Sequence, residues 1–463
     1  MIHRYKNNGY SIVLDVFSGA VHVVDNVTYA LIPILEEKRE ASLDELCKLI
    51  KEAEPGNDFS REEIAEAAEE IRELARNKTL YTEDSYENYV ADFMEKRLEK
   101  PVVKALCLHV AHDCNLRCKY CFASEGEYHG KRALMSFETG KRALDFLVEN
   151  SGNRRNLEVD FFGGEPLMNF EVVKALVEYG RSVEKEKNKN FRFTLTTNGV
   201  LLDDEVLDYV NREMGNLVLS IDGRKEVHDR MRPMRGGGPS HDRILPKLLK
   251  AAGSRQQKNY YVRGTFTHYN TDFAADVLYL NDLGFEQISV EPVVAPPSED
   301  YALKESDLPV LMEQYDILAR EILKRRAGGH YVNFFHFMID LEGGPCVAKR
   351  LSGCGAGGEY LAVTPWGDLY PCHQFVGEER FLMGNVFDGV MNRELAEKFA
   401  RVNVYSKPEC GSCFARFYCS GGCAANSWHF AGDINGNYKI GCELERKRVE
   451  CAIMIKAAEA EKE

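Results

Sequence analysis

Apolar and polar residues alternate along the first part of the chain, from residue 10 to residue 33. This alternation predicts half-buried strands, and a Ser-Gly turn within it predicts a hairpin followed by a short extended run. Helical periodicity begins after Ser42 and again after Ser60, where Glu63 completes a capping box. A small sheet followed by helices predicts a winged-helix-like module over residues 1–95.

From residue 101 to about residue 300, short apolar runs alternate with stretches of helical periodicity. The apolar runs predict strands at 103–110, 157–162, 191–197, 216–221, 259–266 and 286–293. The stretches between them predict helices at 136–150, 170–185, 203–213, 240–252 and 272–283. Repeated strand–helix units predict an α/β fold with a parallel sheet, either open or curled into a partial (β/α)6 barrel. In such a sheet the chemistry is expected at the carboxyl ends of the strands.

The pattern changes again towards the end of the chain. Residues 301–342 predict a bridging region built on one helix at 303–326. From 343 to 463 glycine and cysteine dominate and the periodicity fades, as expected where metal rather than a large apolar core organises the chain. The last 20 residues, rich in Glu, Lys and Ala, predict a solvated helix.

Composition and charge narrow the function classes. The 463 residues include 59 Lys/Arg and 73 Asp/Glu, a net charge of −14, which argues against nucleic-acid binding through phosphates. Residues 1–100 contain 13 Lys/Arg and 22 Asp/Glu, so we expect the N-terminal module to dock a peptide on a strand edge rather than DNA; a purely structural module is the alternative. The sequence has neither a run of about 18 apolar residues nor a signal-peptide pattern, so it predicts a cytoplasmic protein with no membrane contact.

Fourteen cysteines are unexpected in a reducing compartment, where structural disulfides are rare and such a number points to metals. Cys47, Cys107 and Cys451 lie in apolar or helical surroundings and are interpreted as small buried hydrophobes. The others fall into two sets, one of three residues after the first barrel strand and one of eight beyond residue 340.

The first set is Cys114, Cys118 and Cys121, with the spacing C-x3-C-x2-C. Three thiolates on one tight loop can bind three irons of a 4Fe–4S cube and leave the fourth iron open. Zinc would usually require a second ligand pair at finger-like spacing, and none is nearby.

This motif, at the end of the first barrel strand, resembles that of the radical S-adenosylmethionine (SAM) superfamily, and the resemblance covers residues 103–293. It implies that the three cysteines are catalytic, that the open iron chelates SAM, and that reduction yields a 5′-deoxyadenosyl radical. It also implies SAM contacts around the cysteine loop and at successive strand ends, at Tyr120, Phe122, Gly163, Gly164, Glu165, Thr197, Asn198, Ser220, Asp222, Arg232 and Val294. Among these, Glu165 would accept from the SAM ammonium, and Arg232 would pair with the SAM carboxylate.

The second set resembles the SPASM extension of radical SAM enzymes, which holds two auxiliary 4Fe–4S clusters. The resemblance assigns one auxiliary cluster to Cys354, Cys372 and Cys423, and the other to Cys410, Cys413, Cys419 and Cys442. A zinc ribbon formed by Cys410, Cys413, Cys419 and Cys423 is the rival interpretation. Seven ligands are one short of two fully ligated cubes, so either Cys346 is the eighth ligand or the first auxiliary cluster keeps an iron open for a substrate thiolate. We favour the open site.

Together the three parts resemble enzymes that modify ribosomally made peptides, and most closely the thioether-forming maturases of SCIFF (six cysteines in forty-five) peptides, of the sactipeptide and ranthipeptide type. The resemblance implies an anaerobic enzyme that joins a cysteine sulfur to a carbon of an acceptor residue in a Cys-rich precursor whose leader binds the N-terminal domain. It also implies an electron donor such as flavodoxin or ferredoxin. Alternatives are a formylglycine-generating, sulfatase-maturing type, a peptide epimerase or carbon–carbon cross-linker, and a non-catalytic electron carrier.

Overall fold

The computed structural model describes residues 1–99, 101–128, 130–342 and 347–461. Its N-terminal part contains a three-stranded antiparallel sheet in the order β1-β2-β3 and four helices. These elements are β1 (Ile2–Asn7), β2 (Tyr10–Asp15), β3 (Val21–Val23), α1 (Asn26–Glu37), α2 (Leu43–Ala53), α3 (Arg61–Arg76) and α4 (Glu87–Glu99). The capping box predicted at Ser60 and Glu63 begins α3.

Two local predictions in this part were wrong. Residues 2–7 form a strand that was not predicted, and the extended run predicted up to residue 33 is largely helix α1. Asp25 caps this helix by accepting a hydrogen bond from Thr28 N at 2.8 Å, and Val27, Leu31 and Leu35 recur at helical spacing on its buried face.

The middle of the chain has the predicted alternation of strands and helices, with each predicted strand found within about two residues of its expected ends. The elements are β4 (Ala105–His112), β5 (Ala133–Leu134), α5 (Phe137–Asn150), β6 (Asn156–Gly163), α6 (Phe170–Lys187), β7 (Asn190–Thr197), α7 (Asp204–Glu213), β8 (Asn216–Ser220), α8 (Lys225–Met231), α9 (His241–Ser254), β9 (Tyr260–Phe266), α10 (Phe273–Asp282), β10 (Gln287–Pro292), α11 (Leu308–Ala327) and β11 (Asn333–Phe334). Strands β4, β6, β7, β8, β9, β10 and β11 pair in parallel in that order. The sheet is not closed, which confirms the open, partial-barrel class of fold.

The C-terminal part continues this sheet. Its elements are α12 (Val347–Ser352), β12 (Tyr360–Val363), β13 (Asp368–Tyr370), β14 (Gly384–Asn385), β15 (Gly389–Val390), α13 (Arg393–Ala400), α14 (Arg416–Cys419), α15 (Ala424–Ala431) and α16 (Lys439–Ala460). Strand β12 pairs in parallel with β4, so the cysteine-rich region is joined to the barrel at its first strand.

The last helix is not solvated as predicted. Residues Val449, Cys451 to Ile455, Ala457 and Ala458 of α16 are buried, and the helix packs against α11 and β1. Its apolar residues cover more than one face because the helix lies between the barrel and the N-terminal sheet. In that sheet Ile12 and Leu14 face the main core, while Val13 faces α1 to α3. No helix within the described ranges has the length and apolar character needed to cross a membrane.

Candidate active site

The loop after β4 brings Cys114, Cys118 and Cys121 to one cavity of about 220 Å³ at the carboxyl ends of the barrel strands. Two N–H groups point at the Cys114 sulfur: Leu116 N at 3.4 Å and Asn198 Nδ2 at 3.6 Å. Burial raises the pKa of Cys118 to about 12, so a cation is needed to hold this thiol as a thiolate. Three convergent thiols beside N–H donors fit the ligand set of a 4Fe–4S cluster.

Of the residues predicted to contact SAM, all but Glu165 and Asp222 line this same cavity. The lining positions from that prediction are Tyr120, Phe122, Gly163, Gly164, Thr197, Asn198, Ser220, Arg232 and Val294. The structure therefore brings the predicted strand ends together. Their individual contacts with SAM stay predictions.

Gly163 and Gly164 are required by the packing of the chain against itself. A Cβ at Gly163, where φ is +121°, would lie 2.3 Å from Ala111 O, and one at Gly164 would lie 2.2 Å from Asp113 O. The end of β6 thus touches the backbone that leads into the cysteine loop, and only glycine permits this approach.

Glu165 lies in the chain between Gly164 and Pro166, which line the cavity, and is itself fully buried. Its carboxylate accepts hydrogen bonds from Leu167 N at 3.0 Å, Thr197 Oγ1 at 2.8 Å and Asn198 N at 2.8 Å. Burial raises the pKa of Glu165 to about 7, against the effect of these donors. The carboxylate thus holds the turn after β7, and its predicted contact with the SAM ammonium stays a prediction.

Asp222 is the second buried carboxylate and joins three parts of the cavity wall. It accepts hydrogen bonds from Tyr120 Oη at 2.7 and 2.8 Å, from Arg232 Nε at 2.9 Å and from Thr265 N at 3.0 Å. His228 is fully buried and accepts a hydrogen bond from Asp222 N at 3.3 Å, so this histidine supports the backbone at Asp222. In the structure Arg232 therefore pairs with Asp222, and its pairing with a SAM carboxylate stays a prediction.

The sequence-based prediction missed an ion pair on the cavity wall. Arg263 on β9 donates from Nη2 to Glu291 Oε2 on β10 at 2.9 Å, and both residues line the cavity. Burial would raise the pKa of Glu291, but Arg263 outweighs it and lowers the pKa to about 2. His336 lies 4.0 Å from Glu291 and accepts a hydrogen bond from Arg448 of α16 at 2.9 Å. These contacts connect the Arg263–Glu291 ion pair to the last helix. The sequence signal that could have revealed this pair is Glu291, a charged residue near the carboxyl end of β10.

The C-terminal cysteines form two groups. Asn437 Nδ2 lies 3.7 Å from Cys410 Sγ and 3.9 Å from Cys442 Sγ, and Cys410 also neighbours Cys413 and Cys419. Burial, together with the adjacent Cys423 and Cys354, raises the pKa of Cys372 well above its ordinary value. These neighbourhoods coincide with the two predicted ligand sets, which stay predictions. Cys346 lies outside the described residues.

Exposure and position distinguish the two groups. Cys354 and Cys423 are exposed, whereas the four cysteines of the other group are buried or half-buried. Cys372 directly precedes His373 and Gln374, and both of these line the cavity beside the first cysteine loop. The group that contains Cys372 is thus adjacent to the cavity.

Within the described residues, no three His, Cys, Asp or Glu side chains are placed to bind one metal ion. Each thiolate of a 4Fe–4S cluster binds a different iron, so the cysteines of a cluster site need not converge on a single ion.

The N-terminal part contacts the cysteine group formed by Cys410, Cys413, Cys419 and Cys442. The His3 ring stacks on Phe414 with centroids 3.4 Å apart, and Arg416 pairs with Asp84 at 3.0 Å. Tyr5 Oη also donates to Glu450 O on α16 at 2.9 Å. Because Phe414 and Arg416 lie between Cys413 and Cys419, these contacts tie the N-terminal part to the cysteine-rich region.

Family models agree with this geometry. Residues 108–272 match the radical SAM superfamily, and residues 354–414 match SPASM, an iron–sulfur cluster-binding domain. The chain therefore contains a radical SAM domain, and it is an enzyme that uses SAM-dependent radical chemistry. Its radical SAM domain binds SAM and a 4Fe–4S cluster, and its SPASM domain binds auxiliary clusters.

Curated relatives match about 70% of the chain at low identity. The radical SAM cyclopropyl synthase TigE of Paramaledivibacter caminithermalis is 22% identical, over 74% of this chain and 72% of that protein. A serine-type anaerobic sulfatase-maturating enzyme of Bacteroides thetaiotaomicron is 26% identical over 69% and 82%, and the subtilosin biosynthesis protein AlbA of Bacillus subtilis is 22% identical over 72% and 70%.

Solved structures share the fold. The enzyme anSMEcpe with bound AdoMet and the Cp18Cys peptide is 19% identical, has a TM-score of 0.63, and covers 78% of this chain and 100% of its own. Streptococcus suis SuiB bound to its precursor peptide SuiA is 16% identical, with a TM-score of 0.52 over 92% and 94%. The second likeness extends over nearly the whole chain.

Proposed function

We propose that this enzyme installs thioether cross-links between a cysteine sulfur and a carbon of an acceptor residue in a ribosomally made, Cys-rich precursor peptide. Relatives support a peptide or protein substrate, since they include a bacteriocin biosynthesis protein, sulfatase-maturating enzymes and an enzyme bound to its precursor peptide.

The adjacency of the Cys372 group to the cavity is the observation that carries the thioether proposal. His373 and Gln374 line the cavity directly after Cys372, and the two other members of the group, Cys354 and Cys423, are exposed. A peptide thiol bound at this group would lie beside the place where SAM is used. A cluster iron there would deprotonate the thiol and fix its sulfur.

The net reaction replaces one S–H and one C–H bond of the peptide by one S–C bond. When bound, the cofactors supply hydrogen-atom abstraction at the SAM site and a one-electron acceptor at the auxiliary site. One hydrogen atom leaves with 5′-deoxyadenosine, the thiol proton goes to solvent, and one electron goes to the acceptor. The protein's part is to hold the sulfur and the acceptor carbon on the same side of the cavity.

The edge of the N-terminal sheet is the proposed leader site. Strand β3 lies at one end of the order β1-β2-β3, and Val23 on it is 43% exposed, whereas β1 at the other end packs against α16. An extended leader can pair with such an edge as an added strand. A protein such as flavodoxin or ferredoxin is proposed to supply the electrons that start each turnover.

The test compares two single-thiol deletions in the full-length enzyme, reconstituted anaerobically. Cys354→Ala removes a proposed ligand of the first auxiliary cluster, and Cys47→Ala removes a half-buried thiol of α2 outside both cysteine groups. Each is incubated with SAM, reductant and a Cys-rich peptide, and tandem mass spectrometry locates any loss of two hydrogens. We expect Cys47→Ala to form the cross-link and Cys354→Ala to form 5′-deoxyadenosine without it. Equal loss of both activities in Cys354→Ala would refute the assigned role.

Formylglycine formation is the second candidate, because sulfatase-maturating enzymes are among the relatives at 26% identity. Asp368, an acidic residue four positions before Cys372, lies on β13 and accepts from Asn385 Nδ2 at 2.9 Å. It is not among the residues that line the cavity. A hydrazine probe distinguishes the products, since it labels the formylglycine aldehyde and leaves a thioether unlabelled.

A further inference from the structure

Lys407 is a buried lysine between the two C-terminal cysteine groups. Only 3% of it is exposed, and it lies three residues before Cys410. A lysine so deeply buried is rare unless its charge is compensated.

The ammonium group of Lys407 has three acceptors. Its Nζ donates to Ser427 Oγ at 2.8 Å, to Ile434 O at 3.1 Å and to Gly436 O at 2.8 Å. Ser427 Oγ itself donates to Cys423 O at 3.1 Å, so it accepts from the lysine. Three acceptors require three N–H bonds, which the charged ammonium has and the neutral amine lacks.

These three bonds connect Lys407 to both cysteine groups. On one side, Ser427 links it to the backbone of Cys423. On the other side, Gly436 precedes Asn437, whose amide points at Cys410 and Cys442. The positive charge is therefore placed between both sets of proposed cluster ligands.

The loop that joins the two groups closes over the lysine stem. Residues Ser420, Gly421 and Gly422 all have positive φ, between +59° and +84°. A Cβ at Gly421 would lie 3.3 Å from Lys407 Cδ and 3.5 Å from Cε. The loop thus packs directly on the lysine and helps to exclude water from its charge.

We propose that Lys407 is a positioning residue whose fixed positive charge raises the reduction potentials of both auxiliary clusters. Reduction adds a negative charge to a cluster, and a nearby buried cation stabilises the reduced form. A high potential makes an auxiliary cluster a better acceptor of the electron left by S–C bond formation, and this last step rests on the proposed function.

The test is an anaerobic redox titration of the reconstituted full-length enzyme, followed by electron paramagnetic resonance. Lys407→Met and Lys407→Gln remove the charge, Lys407→Arg retains it, and Lys439→Met is the matched control. Lys439 also lies three residues before a proposed cluster ligand, Cys442, which belongs to the same group as Cys410. Its side chain, however, is 70% exposed. Solvent should screen its charge.

We expect each neutral variant to shift the reduction equilibrium of the auxiliary clusters at least tenfold towards the oxidised form, which is about 59 mV for one electron. Lys407→Arg should retain most of the potential, and Lys439→Met should be unchanged. Unchanged potentials in Lys407→Gln would overturn the proposal. So would loss of auxiliary iron in every neutral variant, because the role of Lys407 would then be structural. Peptide products are measured separately, so a failed thioether assay leaves the potentials interpretable.

Discussion

Gly164→Ala is predicted to weaken SAM binding by a steric effect alone. The added methyl group would lie 2.2 Å from Asp113 O, whereas ordinary contacts are 3.4–4 Å, so the backbone before Cys114 would have to move. That oxygen also accepts from Glu165 N at 2.9 Å, so the movement would disturb the buried carboxylate as well. Overpacking of this kind costs about 1–3 kcal/mol.

If that strain falls on the cysteine loop, the affinity for SAM drops by about 5- to 150-fold, since 1.4 kcal/mol is tenfold. Equilibrium dialysis of the reconstituted enzyme with labelled SAM measures this change, with iron content determined in parallel. Gly236→Ala is the matched control, because a Cβ there would meet no atom within 4 Å. Equal SAM affinity and iron content in the two variants would refute the steric reasoning.

Three further changes test other parts of the site. Asn198→Ala removes an N–H···S bond to Cys114 and should lower the reduction potential of the SAM-site cluster in a redox titration. Asp84→Asn leaves Arg416, which is 3% exposed, without its carboxylate partner and should cost about 3–5 kcal/mol, measured by anaerobic thermal unfolding. Glu291→Gln breaks the ion pair on the cavity wall. A resulting loss of about 1.4 kcal/mol in peptide binding should raise the peptide KM about tenfold.

Matched substitutions control for the last two. Asp204→Asn removes an exposed ion pair with Lys250 and should change stability by less than about 1 kcal/mol. Glu459→Gln removes a carboxylate that also pairs with an arginine and is 33% exposed, against 34% for Glu291, but that lies outside the cavity lining. An equal loss of stability in Asp84→Asn and Asp204→Asn would contradict the first of these two predictions. An equal change of peptide KM in Glu291→Gln and Glu459→Gln would contradict the second.

Local sequence signals predicted the framework of the molecule. The capping box at Ser60 and the six barrel strands depend on residues close in the chain, and buried parallel strands give apolar runs that are easy to recognise. The cysteine loop was recognised from its local spacing, and strand order placed the chemistry at the carboxyl ends of the strands. The individual SAM-contact residues there were implied by the resemblance to radical SAM enzymes.

Contacts between distant segments could not be predicted in this way. The Arg263–Glu291 pair depends on the register of two strands, and its support by Arg448 depends on where α16 packs. The burial of α16 follows from contacts such as that of Tyr5 with Glu450, far apart in the chain. Lys407 gave no signal in the sequence, because its three acceptors come together only when the loops around the cysteines fold.

Transfer of deuterium from the peptide to the enzyme's 5′-deoxyadenosine is the most direct test of the central claim, that the SAM cavity and the Cys372 group act on one peptide. The enzyme is incubated anaerobically with a Cys-rich peptide deuterated at the candidate acceptor carbons, and both products are analysed by mass spectrometry. The account predicts one deuterium in 5′-deoxyadenosine and a new S–C bond at the carbon that lost it. Unlabelled 5′-deoxyadenosine with an unmodified peptide, in enzyme whose clusters are fully loaded, would contradict it.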